Sequence, residues 1–236
     1  MWDHLTDGFL FSGFSPDRLS LSREAADYVS RTTVRVGYDS DNVSQPIREK
    51  IRAAIQTGLD AVSLAGIGRM TAIDAWDEEK ITGREIVVFS PHWARVVSRM
   101  AAPRAMVCFV LTLGEAFDRV RERMELFEAY VLDGFGSELI EQAAARVEDN
   151  IVGWAQKNAM ACSRRFSPGY CDWPLAAGQK GMFAFLDPAV IGVKALPSGA
   201  MLPSKSVSAV IITADQVPLA WPCPFCRNMT CDHRRA

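Results

Sequence analysis

Ile47, Ile51, Ile55 and Leu59 recur every four residues, so they fall on one apolar stripe of a helix. Ser44 stands where that helix needs an N-cap, and Pro46 is tolerated in its first turn. Further upstream, Ser22 followed by Arg-Glu-Ala-Ala-Asp-Tyr-Val predicts a shorter capped helix, and residues 1–20 carry no clear period and read as an extended arm. Short apolar segments at 61–65, 85–89 and 105–112, bounded by Gly, Pro or charge, predict strands. The last of them, in AMVCFVLTLG, is apolar almost throughout, as expected of a central strand covered on both faces. Residues 115–158 then form one long helical tract without proline, in which Gly134 and Gly136 mark either a break or close packing between two helices. Leu139, Ala143, Val147 and Ile151 lie on one face of its second half.

Beyond the tract the texture changes. SRRFSPGYCDWP reads as a loop, GQKGMFAFL as a short helix, and residues 191–213 as two strand-like pieces around a polar turn. The sum is an α+β fold with one mixed or antiparallel sheet and flanking helices. The expected organisation is an arm at 1–20, a domain at 21–215 and a cysteine-rich tail at 216–236.

Composition narrows the function. The chain has 236 residues, 49% hydrophobic and 23% charged, which suits a packed domain rather than a disordered one. With 26 basic and 28 acidic residues the net charge is −2, so nothing favours nucleic acid or an anionic membrane surface as partner. The first residues lack a basic leader and a cleavage site, and no apolar run approaches the ~18 residues of a span. A cytoplasmic protein is expected. No glycine-rich turn of the dinucleotide or P-loop kind is present, and His4 and His92 have no spacing that marks catalysis.

The loop Arg164-Arg165-Phe166-Ser167-Pro168-Gly169-Tyr170 is the first candidate site. Arg165 offers a planar donor fork suited to a carboxylate. Gly169 lets backbone approach a ligand, Pro168 stiffens the turn, and Tyr170 adds a flat face and a hydroxyl. The bland alternative is a surface turn.

Arg165-Phe-Ser-Pro-Gly-Tyr170 resembles the Arg-x-x-Pro-Gly-Tyr loop of the reactivation domain of cobalamin-dependent methionine synthase. Ala200-Met-Leu-Pro-Ser-Lys-Ser-Val-Ser208 is similar to a second segment of that family, at a fitting separation, and LDGFGSELIEQ resembles its acidic helix. The likeness covers roughly residues 115–213. It implies that Arg165 binds the carboxylate or nearby polar atoms of S-adenosylmethionine, that the backbone at Ser167 and Gly169 meets the adenosyl part, and that Tyr170 packs on the ligand. Glu141, with Glu138 as the alternative, would accept from the amine. Two departures accompany the likeness: a further tyrosine of the family site has no counterpart here, and an N-terminal aspartate has only Asp3, Asp7 and Asp17 as candidates.

The resemblance further implies reductive reactivation of a corrinoid. One electron and the methyl group of S-adenosylmethionine would restore an oxidised corrinoid and release S-adenosylhomocysteine. The chain lacks a cobalamin-binding Asp-x-His-x-x-Gly motif, so the cobalamin would sit on a partner, a methionine synthase or related corrinoid protein, with a flavodoxin- or ferredoxin-type electron donor. The alternative is a non-catalytic module that binds S-adenosylmethionine or organises a corrinoid complex.

The tail carries the second candidate site. Cys223-x2-Cys226 presents two thiols in one turn, Cys231 follows within reach, and His233 or Cys171 can complete four-coordination. Zinc, an iron–sulfur cluster and a regulatory dithiol are all compatible with it.

Overall fold

A computed structural model describes residues 8–12, 19–226 and 229–231, with the backbone alone for 8–12. At its centre strand β5 (Ala101–Thr112) pairs antiparallel with strand β9 (Ser206–Gln216), from Ala101↔Gln216 to Thr112↔Ser206. Side chains alternate across this pair with the two-residue period of a strand. Val107, Phe109 and Leu111 join Ala209 and Ile211 in one core, while Met106, Cys108 and Val110 join Val210, Ile212 and Ala214 in another. The near-continuous apolar run is therefore a strand buried on both faces, as its sequence predicts.

The other strands extend this pair. Strand β2 (Ala65–Trp76) lies along β5, followed outward by β3 (Lys80–Gly83) and β4 (Val87–Phe89), and on the opposite side β9 carries the short β6 (Ala161–Cys162). Strand β1 (Gly8–Ser12) also pairs with β2, so part of the expected arm completes the sheet of its own chain. Every pairing is antiparallel. A separate two-stranded ribbon joins β7 (Lys194–Ala195) to β8 (Met201–Leu202).

Helices cover both faces. Helices α1 (Ala26–Arg35), α2 (Gln45–Ala61), α4 (Glu115–Glu122) and α5 (Leu126–Lys157) pack on the first. Helices α3 (Pro91–Val97) and α6 (Leu175–Leu186) pack on the second. The stripe of α2 behaves as expected: Ile51 and Ile55 are fully buried, and Ile47 and Leu59 pack at its edges. Its N-terminus follows Ser44, which caps with its backbone carbonyl but not with its hydroxyl.

Several expectations shift. The Ser22 hydroxyl accepts from the Glu24 N–H and the Ser22 carbonyl accepts from the Tyr28 hydroxyl, so Ser22 shapes the turn before α1, which starts at Ala26. The predicted strand at 61–65 is the end of α2 and its exit, because Gly58 brings that helix against Leu132 and Phe135 and holds it helical to Ala61. The strand proper, β2, is diluted by Gly66, Gly68 and Arg69 and lacks an apolar run to announce it. The segment at 85–89 narrows to β4, whose hairpin partner β3 is short and flanked by charge.

The long tract breaks at Arg123–Glu125, and α5 runs through Gly134 and Gly136 as one helix. Close packing is what the two glycines serve. A Cβ on Gly136 would lie 2.6 Å from the buried Phe117 ring, and one on Gly134 would lie 2.7 Å from Val36. Gly153, also in α5, has nothing within 4 Å of that position.

This contrast is testable by urea unfolding. Gly153→Ala is expected to raise stability by about 0.5–1 kcal/mol, through helix propensity and a less flexible unfolded chain. Gly136→Val is expected to lower it by about 1–3 kcal/mol, because Phe117 has nowhere to go. Equal effects at the two sites would remove the packing role assigned to Gly136.

Candidate functional site

The first wall of a groove is the loop after β6. Phe166 and Val210 of β9 exchange both backbone hydrogen bonds, at 2.9 and 2.8 Å, and the Ser163 N–H donates to the Ile212 carbonyl at 2.8 Å. The loop is thus an irregular continuation of the sheet. Its Phe166 ring stacks on Trp93 at 3.8 Å and leans on Trp173 at 5.5 Å. Gly169 turns the chain at φ +91°, and its N–H donates to the Trp173 carbonyl at 2.8 Å. Asp172 then accepts from the Ser90 hydroxyl and from the His92 N–H, clasping the loop to the start of α3. His92 therefore has a structural part, while His4 lies outside the described residues.

The second wall is the segment from Gly199 to Ser208. After a cis Leu202–Pro203 bond, Ser204 donates its N–H and hydroxyl to the buried Asp118 of α4, at 2.6 and 2.7 Å. The Ser206 hydroxyl bonds Thr112, and the Ser208 hydroxyl donates to the buried Gln179 of α6 at 3.0 Å. The Lys205 ammonium donates to Ser137 at 2.9 Å and pairs with Asp133 at 2.9 Å. Arg121 pairs with the same carboxylate at 2.5 Å. Partial burial pushes the Asp133 carboxyl up, but Lys205 and Arg121 together hold it below the usual carboxylate range.

Helix α5 forms the floor with Ser137, Ile140 and Glu141. Across it, the Arg165 Nη2 donates to Glu141 at 2.6 Å, and Nε donates to Glu148 at 3.2 Å. The Arg165 backbone N–H also reaches Glu148, and Arg164 lies 3.6 Å from the same carboxylate. Glu138 faces elsewhere and bonds Arg31, Arg35 and Gln142. The enclosed space is about 760 Å³, within the range of small-molecule sites.

Of the residues expected at a ligand, Glu141, Arg165, Ser167 and Tyr170 line this groove, and Gly169 forms the turn that presents them. Between the two candidate glutamates, Glu141 is the one that does so. Asp3, Asp7 and Asp17 lie outside the described residues. The expectations missed Glu148, Ser137, Lys205, Gln179 and Trp221. Glu148 was detectable, since it follows Glu141 by seven residues and shares its helix face. Trp221 reaches the groove from the tail, where the Ala220 carbonyl accepts from the Arg164 N–H at 2.9 Å.

All six cysteines are unbridged. Cys171 and Cys223 line the same groove. Burial pushes the Cys171 thiol up to about 12, and repulsion from Cys226, Asp172, Cys223 and Cys231 adds to it. Among the described residues, no three Cys, His, Asp or Glu side chains are already gathered to hold a metal ion. His233, expected as a ligand, lies outside them.

No protein-family model matches the sequence, and no curated protein matches it. Among solved structures, the chain is similar to the MetH reactivation domain bound to AdoHcy, with a TM-score of 0.64 at 12% identity. The match covers 94% of this chain and 84% of that one. The chain has the reactivation-domain fold. That fold accounts for the antiparallel sheet with flanking helices inferred from sequence, and among the described residues no helix is long and apolar enough to cross a membrane.

Two outcomes follow for the reactivation-domain fold of this chain. Glu148→Ala strips the Arg165 guanidinium of its buried partner and is expected to cost about 1–3 kcal/mol in chemical denaturation; an unchanged midpoint would mean that Glu141 alone suffices. Asp133, depressed in the folded state, contributes stability above its unfolded pKa of about 4, and that contribution disappears as pH falls through the lower folded value. Thermal unfolding between neutral and acid pH should show Asp133→Asn losing less stability on acidification than the parent protein. Parallel curves would contradict the role given to Lys205 and Arg121.

Proposed function

We propose that the groove binds S-adenosylmethionine and that the protein supports reductive methylation of a corrinoid carried by a partner chain. The observation that carries this reading is spatial. The segments 165–170 and 200–208, singled out independently by sequence resemblance, form facing walls of one groove with Glu141 on its floor. The neighbour of the same fold is bound to AdoHcy, the product that methyl transfer from S-adenosylmethionine leaves.

The residues present suit the ligand. A bound amino acid presents a carboxylate and an ammonium close together. Here Arg165 and Glu141 already stand 2.6 Å apart, so the ligand's two charges can be met by one residue each without leaving either uncompensated. Arg165 stays oriented meanwhile through Glu148. Tyr170, about half exposed, offers its face beside Ser167. When bound, S-adenosylmethionine supplies an electrophilic methyl group, and the partner's corrinoid, reduced by an external donor of the flavodoxin or ferredoxin type, accepts it. This chain's part is positioning: it binds and orients the sulfonium ligand and needs no acid or base.

Calorimetric titration of reduced protein with S-adenosylmethionine tests this directly. Saturable binding is expected, weakened roughly 10- to 100-fold by Arg165→Ala, the worth of a charge-assisted contact. Binding that is indifferent to Arg165 would place the ligand elsewhere. Absence of binding by the parent protein, with and without S-adenosylhomocysteine competition, would remove S-adenosylmethionine as the ligand of the isolated chain.

A further inference from the structure

We propose that Gln179 reads the base of the nucleoside ligand, its carboxamide N–H2 donating to a ring nitrogen of adenine while the main chain of Ser208 meets the exocyclic amine. This inference deepens the proposed function and rests on it, since it takes the adenosyl part of S-adenosylmethionine as the guest.

Gln179 stands where the two walls meet helix α6. Two glycines let that helix press against both. A Cβ on Gly178 would lie 2.8 Å from Pro168 and from the Trp173 indole nitrogen of the first wall. One on Gly199 of the second wall would lie 2.8 Å from Leu175 and 3.0 Å from the Ala176 backbone. The residue after Gly178 is Gln179, which is 3% exposed and lines the groove. Burying a carboxamide is costly unless its polar atoms find partners. Its oxygen accepts from the Ser208 hydroxyl at 3.0 Å, and Ser208 is itself 2% exposed. That bond fixes the carboxamide and leaves its N–H2 as the group it can present to a guest.

Strand β9 presents matching main chain beside it. Along an antiparallel strand, the N–H and C=O of successive residues point to opposite edges. The Lys205 carbonyl accepts from the Leu113 N–H at 2.9 Å, and Val207 and Ala209 follow in the same phase, facing β5. Val210 faces the other edge, where it exchanges both hydrogen bonds with Phe166. Ser208 shares the phase of Val210, so its N–H and C=O point to that outer edge, where Ser206, Val207 and Ser208 line the groove. Adenine carries its amine between two acceptor nitrogens. A donor from Gln179, with an acceptor and a donor from Ser208, is the complementary set. A site built to hydrogen-bond its ligand rejects an analogue that lacks the matching group, because its own polar groups are then left unpaired.

The test is calorimetric titration of the full chain with S-adenosylhomocysteine and its deaza analogues, each lacking one ring nitrogen. One analogue is expected to bind the parent protein about tenfold more weakly than S-adenosylhomocysteine, the worth of a hydrogen bond left unmade. That penalty should vanish in Gln179→Met, which keeps the length of the side chain and removes its donors. Gln179→Leu is the second variant, read in the same way, and both are checked for the far-ultraviolet circular dichroism of the parent. S-inosylhomocysteine sets an oxygen against the Ser208 carbonyl, so it should bind poorly to the parent and to both variants. A glutamine that only props Ser208 would lower affinity for every analogue by one factor and leave their ratios unchanged, and that result would overturn the assignment. So would S-inosylhomocysteine binding the parent as well as S-adenosylhomocysteine does. Arg165-dependent binding with unaltered base preference in the Gln179 variants would sink this inference alone, whereas no binding of S-adenosylhomocysteine by the parent would remove the proposed ligand with it.

Discussion

Phe166 and Val210 share two backbone hydrogen bonds, and the placement of the groove's first wall against the sheet follows from that pairing. Val210 belongs to a strand that is buried on both faces and cannot shift without opening two cores. Phe166 is held between Trp93 and Trp173. The bridge therefore transfers the rigidity of the sheet to a loop that would otherwise be free. Arg165 precedes it and points to α5, while Ser167 to Tyr170 follow it and close the turn. Residues 44 positions apart become neighbours, and the second wall, only a few residues before Val210 on the same strand, faces the first.

The carboxylates around the groove have their partners before any ligand arrives. Buried carboxylates are costly unless paired, and here the buried Glu148 meets Arg165 and Arg164 and the buried Asp118 accepts from Ser204, while the half-exposed Asp133 meets Lys205 and Arg121. Each pair also fixes a segment: the first wall, the bend after Pro203, and the start of β9. Electrostatics and loop geometry are one problem in this protein, solved by the same side chains.

Much of this was legible from sequence because the signals were local. The apolar run of β5, the four-residue stripe of α2 and the Pro-Gly turn at 168–169 each state their conformation within a few residues. What stayed hidden was relational. Strand β2 could not be read because its glycines and Arg69 interrupt any apolar run, and its identity comes from eight registered pairs with β5. Gly134 and Gly136 left two readings open, and only Val36 and Phe117, brought in by other helices, decide for close packing. In the groove, Arg165 and Glu141 were evident as residue types, whereas Lys205 acts through a partner 68 positions away.

Helix α5 gives the groove an unusual mechanical character. Ser137, Ile140 and Glu141 all project from one uninterrupted helix, so their mutual spacing is fixed at ~1.5 Å of rise per residue regardless of what surrounds them. The floor works as a graduated rule against which the two walls are read. A guest must conform to the interval between those side chains, since the helix cannot stretch to meet it.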